Sequence, residues 1–73
     1  MTKFVDWSQA PEEANYWTHD GDDNRADWWK YKPELHEYGR YWDFGGLIDS
    51  APTFDFKGNW QDSLEERPHD NSN

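Results

Sequence analysis

The chain has 73 residues, a formal net charge of −9 and no cysteine, which allows one small domain and excludes disulfide staples and thiolate metal sites. Sixteen Asp and Glu stand against seven Lys and Arg, a balance that repels nucleic-acid phosphates and anionic lipid and selects a basic protein surface as long-range partner. Six Trp, four Tyr and four Phe face only Val5, Leu35, Leu47, Ile48 and Leu64 as large aliphatics besides Met1, so any core must be aromatic.

A single domain over residues 1–73 is expected, with Met1–Asp6 outside its core and the wholly polar tail at 69–73 disordered. Ala10-Pro11-Glu12-Glu13 predicts a turn or one helical turn, since Pro presets φ there and acidic residues suit that end; Trp7 is placed to anchor it on the core. Ala14–His19 carries Tyr16 and Trp17 and reads as a first strand, closed by the turn cluster Asp20-Gly21-Asp22-Asp23-Asn24. Asp27–Lys32 reads as a second strand ended by Pro33, which cannot donate to a ladder. Glu37–Phe44, interrupted by Gly39 and closed by Gly45-Gly46, reads as a third strand with a bulge at the first glycine, paired with Asp27–Lys32 in an antiparallel ribbon.

After Leu47-Ile48 and Ser50-Ala51-Pro52, Thr53–Phe56 predicts a short strand with Phe54 and Phe56 on one face, then a turn at Lys57-Gly58-Asn59. Trp60–Arg67 suits either two helical turns, capped by Asn59 and stopped by Pro68, or an extended edge segment. The fold class is therefore mainly β or α+β: a small three- or four-stranded antiparallel sheet with an aromatic core and at most one short helix. No run approaches the roughly 20 apolar residues that span a bilayer, and no basic-then-apolar leader opens the chain, so the expected location is the cytoplasm, with no membrane partner.

The run Trp7-Ser8-Gln9-Ala10-Pro11-Glu12-Glu13-Ala14-Asn15-Tyr16-Trp17 resembles the opening of small bacteriophage accessory proteins that read W-x-x-A-P-x-x-A followed by an aromatic. Trp60-Gln61-Asp62-Ser63-Leu64-Glu65-Glu66-Arg67-Pro68 is similar to their closing W-x-x-S-x-x-x-R-P element, and the two together cover about twenty of the 73 residues. The resemblance implies a phage protein made in the cytoplasm of an infected bacterial host. It implies no catalytic residue.

Asp20, Asp22 and Asn24 fall at the first three ligand positions of an EF-hand loop, but Arg25 stands where the loop needs glycine and Tyr31 where it needs a bidentate glutamate. His19, His36 and His69 are too dispersed for a zinc site. Phosphate-binding glycine loops, nucleophile elbows and cysteine nucleophiles are absent, and carboxylates this numerous on a chain this small are mostly solvated. The sequence thus predicts a binding protein, not an enzyme, with no cofactor and no metal.

Alternate residues of a strand lie roughly 6.6 Å apart, comparable with phosphates along a nucleic-acid strand. Asp20, Asp22, Asp23, Asp27, Asp43, Asp49, Asp55, Asp62, Glu65 and Glu66 are accordingly candidates for a surface that imitates DNA; the bland reading is a solubilising face. Adjacent pairs Trp28-Trp29 and Tyr41-Trp42 must point to opposite faces of a strand, which predicts an aromatic patch outside the core, with Trp29 and Trp42 as its contacts. The leading expectation is an inhibitor that fills the DNA-binding groove of a host enzyme such as gyrase, RNA polymerase, or a restriction or CRISPR nuclease. The alternative is an interaction or assembly module that uses its aromatic face, with charge serving solubility only. Direct nucleic-acid binding would need a local basic patch such as Lys30 with Lys32 and Arg40, and the scarcity of aliphatic core residues predicts a homodimer.

Overall fold

The computed structural model describes residues 5–68. Its strands are β1 (Tyr16–His19), β2 (Ala26–Trp29), β3 (Glu34–His36), β4 (Tyr41–Asp43), β5 (Leu47–Ala51) and β6 (Glu65–Glu66), with single 3₁₀ turns at Trp7–Gln9 and Trp60–Asp62. An antiparallel sheet runs in the order β5-β2-β1-β6, and β3 and β4 form a separate antiparallel hairpin. The fold is mainly β around an aromatic cluster, as the composition predicts. None of its helical turns is long or apolar enough to cross a membrane.

Register explains why adjacent aromatics end on different sides. Trp17 lies opposite Trp28 and His19 opposite Ala26, whereas Tyr16 faces Trp29 and Thr18 faces Asp27. The first set shares one face with Val5 and Ala14, and Trp7, Ala10, Ile48, Ala51, Phe54 and Phe56 pack against it. The Trp7 ring lies 5.3 Å from that of Trp28 and Phe56 lies 5.8 Å from Trp17, edge to face. On the opposite face the Trp29 indole N–H donates to Thr18 Oγ1 at 2.8 Å. A second buried indole, Trp42, meets Trp60 edge to face at 6.4 Å. Trp28 and Trp29 are therefore both buried, at 2% exposure each, because each face of β2 has its own cover. The prediction that one of the pair stays exposed is corrected.

Several boundaries differ from the sequence reading. Strand β2 stops at Trp29, and both its edges are taken, by β1 and by β5, so Glu37–Phe44 cannot pair with it. Instead Glu37–Arg40 folds as a turn, with the Arg40 N–H donating to His36 O at 2.9 Å, and residues 34–43 pair with themselves. Past Trp29, the N–H groups of Lys30 and Tyr31 donate to Gly46 and Gly45 carbonyls; a Cβ on Gly45 would sit 2.7 Å from Tyr31 O, so this approach requires glycine.

Leu47–Ala51 is the strand that Thr53–Phe56 was expected to be, with Ile48 as an extra residue where the register shifts. Thr53–Phe56 is a tight turn: Phe56 N–H donates to Thr53 O, and Phe54 and Asp55 both hold positive φ, which aims both phenyl rings at Trp17.

The Trp60–Arg67 segment resolves into one 3₁₀ turn capped by Asn59, then the edge strand β6. Ser63 ends the turn: its hydroxyl donates to Trp60 O at 2.7 Å while accepting the His19 N–H at 2.9 Å, a side-chain bond that competes with helix continuation. Val5, expected outside the core, is 5% exposed and belongs to it, and Asp6 caps the first 3₁₀ turn through Ser8 N–H. The predicted disordered tail, 69–73, lies outside the described residues.

The two elements that carry the phage-protein resemblance meet in space. Arg67 Nη1 donates to Ala14 O at 2.7 Å and Pro11 O at 3.1 Å, its backbone N–H donates to Asn15 O, and its guanidinium lies 5.6 Å from the Trp7 ring. In this structure those residues clamp the amino-terminal loop to β6.

Candidate interaction surface

The acidic candidates do not form a single row. Asp22 and Asp23 lie in the β1–β2 loop, Asp49 on edge strand β5, Asp55 in the tight turn, Asp62 in the second 3₁₀ turn, and Glu65 and Glu66 on β6 at the other edge. Three strand spacings of about 4.8 Å separate the two edges. Charge on the edges also guards them against pairing with another sheet, so part of the acidic surface has a structural purpose. Asp20 is half-buried, Asp27 is buried and Asp43 is half-buried on β4. Asp27, Trp29 and Trp42 are buried and offer little contact surface to a partner.

Asp20 and Asp27 lie on the sheet face opposite the Trp17 cluster. Burial raises the carboxyl pKa of each; Arg25 opposes this in both, the Trp42 backbone N–H helps at Asp20, and the Asp20 charge raises Asp27 further. Asp20 Oδ1 has no hydrogen-bond partner. Beside it an open cleft of about 360 Å³ runs between the β1–β2 loop and Gly58, Asn59 and Trp60. Among the described residues no three His, Asp or Glu side chains converge to hold a metal ion.

Arg40 docks the hairpin onto that loop. Its Nε lies 3.1 Å from Asp22 Oδ1, its Nη2 donates to Gly21 O, and its carbonyl accepts the Gly21 N–H. This commits Arg40 away from Lys30 and Lys32, which line a shallow cleft with Tyr16, Tyr31 and Glu66. The three cations of the conceivable basic patch are thus not brought together.

Exposed rings gather on the hairpin, where the sequence expected Trp42 but the structure exposes its neighbour Tyr41 instead; Tyr31, beyond β2, is exposed as well. Leu35 and Trp42 share one hairpin face, while Glu34 with Asp43 and His36 with Tyr41 are cross-strand neighbours on the other. Trp42 is buried, whereas on the other face Glu34 and Tyr41 are exposed and His36 and Asp43 half-buried. The His36 ring stacks on Tyr41 at 5.1 Å and 8°, and the Phe44 ring lies 5.1 Å from it, tilted by 50°. Phe44 is 66% exposed, Tyr38 in the turn fully so, and Tyr41 39%. Phe44 also holds φ 64°, a costly conformation for a bulky side chain. The signal for this surface was the period of two in residues 34–43, visible once Gly39 is read as a turn residue. No family model, curated protein or solved structure matches this chain.

Proposed function

We propose that this chain is an acidic inhibitor, made in a phage-infected bacterium, that occupies the DNA-binding groove of a host enzyme such as gyrase, RNA polymerase, or a restriction or CRISPR nuclease. The supporting observation is the shape of its charge. A body of 41 × 24 × 17 Å has exposed carboxylates on the β1–β2 loop, the hairpin and both sheet edges.

Duplex DNA of that length has about 24 phosphate charges, against a net charge of −9 here. That ratio suits a ligand that satisfies one wall of a basic groove and does not copy the whole duplex. Scattered edge carboxylates steer the encounter, and the exposed rings hold the complex.

The test is capture from bacterial lysate on the tagged protein in the presence of duplex DNA. DNA should displace the retained enzyme, and retention should fall steeply with salt. Retention indifferent to both would favour the alternative, an assembly module that binds through Tyr38, Tyr41 and Phe44 with charge serving solubility.

A further inference from the structure

We propose that the outer face of the β3–β4 hairpin is a docking site for an arginine-bearing segment of a basic partner protein. This rests on the acidic-inhibitor reading and specifies what that surface recognises. Glu34 and Asp43 are directly opposed across the hairpin, a like-charge arrangement that destabilises a strand pair when nothing neutralises it. Among the described residues no Lys or Arg forms an ion pair with either; the hairpin's own Arg40 is turned to Asp22 and Gly21.

Beside these carboxylates lie the stacked His36 and Tyr41 rings and the exposed Phe44 ring. A carboxylate pair next to the largely exposed Phe44 ring and the partly exposed Tyr41 ring matches the two demands of a guanidinium, which stacks flat on a ring while its N–H fork meets a carboxylate. A lysine ammonium meets the charge but not the stacking. A second copy of the chain is a poor occupant, since it would set Glu34, Glu37 and Asp43 against carboxylates of the same kind. Nucleic acid is repelled for the same reason.

The test uses the full chain, isotopically labelled, titrated with two peptides of equal length and charge that alternate arginine or lysine with serine. Amide shifts should concentrate in residues 34–44, and the arginine peptide should bind about two- to threefold tighter, a fraction of an exposed cation–π contact, because lysine can also approach a ring but cannot stack flat on it. The double variant Tyr41→Ala/Phe44→Ala should abolish that preference while retaining the fold by circular dichroism; Glu34→Gln/Asp43→Asn should weaken both peptides alike.

Equal affinity for the two peptides, no saturable binding, or shifts centred on Asp22 and Asp23 or on Asp49 and Asp55 would overturn the proposal. Its failure is separable from that of the inhibitor reading. DNA-sensitive capture that survives the hairpin variants would leave the inhibitor and remove the docking site. Capture insensitive to DNA, with an arginine preference mapped to the hairpin, would do the reverse.

Discussion

The four-stranded sheet and the hairpin are built from the same residue types yet finish differently. In the sheet, Trp17 donates its indole N–H to Pro52 O and Trp29 donates to Thr18 Oγ1, and both rings are buried. In the hairpin, Trp42 Nε1 and His36 Nε2 are buried without a partner, as are Trp7 Nε1 and Asp20 Oδ1 beside the sheet, but only the hairpin turns Tyr38, Tyr41 and Phe44 outward. Buried polar atoms left unpaired cost about 1–3 kcal/mol each. Orphaned polar atoms are thus shared by the two regions, and what separates them is ring burial: the sheet covers its aromatics, whereas the hairpin leaves three of them open to a partner.

The contrast breaks most visibly at Trp17. Trp17→Ala should cost about 3–5 kcal/mol, comparable with the whole stability of a domain this small. Its circular dichroism at room temperature should be that of an unfolded chain, whereas Tyr38→Ala should match the parent. A folded Trp17→Ala variant would mean that the core cluster is not what holds the sheet.

Smaller losses should come from the clamp between the amino-terminal loop and β6. Arg67→Lys retains the charge but loses the fork to Pro11 and Ala14 carbonyls, and Ser63→Ala leaves the buried His19 N–H unpaired. Each should lower stability by about 1–3 kcal/mol in urea denaturation. An unchanged midpoint would assign these residues a role other than bracing.

Asp27→Asn should move the midpoint the other way. The folded pKa of Asp27 lies above its ordinary 3.8, so the folded state retains a proton that the unfolded chain has released. The stability linked to that proton is full below the unfolded pKa and is lost as pH rises through the folded one. The asparagine variant should therefore gain on the parent as pH rises from acid to neutral, read as urea midpoints across a pH series. A gain that is flat with pH would contradict a buried, protonatable Asp27.

The smallest expected change in stability is the most telling about the hairpin. Phe44→Gly removes a left-handed strain of about 1–2 kcal/mol and adds about 0.5–1 kcal/mol of chain entropy cost. The thermal midpoint should not fall, although a large ring is lost. If binding to the arginine peptide falls while the midpoint holds, Phe44 serves recognition at the expense of stability. A lowered midpoint would make it a packing residue.

The sequence by itself determined an antiparallel sheet, the aromatic core and the acidic character, leaving mainly β and α+β both open until Trp60–Arg67 proved to be a 3₁₀ turn and an edge strand. These follow from composition and local turn chemistry: Asp20–Asn24 turns, Asn59 caps, and no aliphatic set exists to replace the tryptophans. Strand β1 and the loop after it were legible because Tyr16 and Trp17 precede an unmistakable turn cluster.

Which aromatics would be buried was not legible, because alternation says only that Trp28 and Trp29 point apart. That both are covered depends on two separate covers, from Val5, Trp7 and the Phe54 turn on one face and from segments remote in sequence on the other. The pairing of residues 34–43 with themselves was likewise decided by tertiary competition, since β1 and β5 had taken both edges of β2. Packing likewise buried Trp29 and Trp42 and left Tyr31, Tyr38, Tyr41 and Phe44 exposed. A residue's period fixes its side of a strand, but only the packed fold decides whether that side is covered.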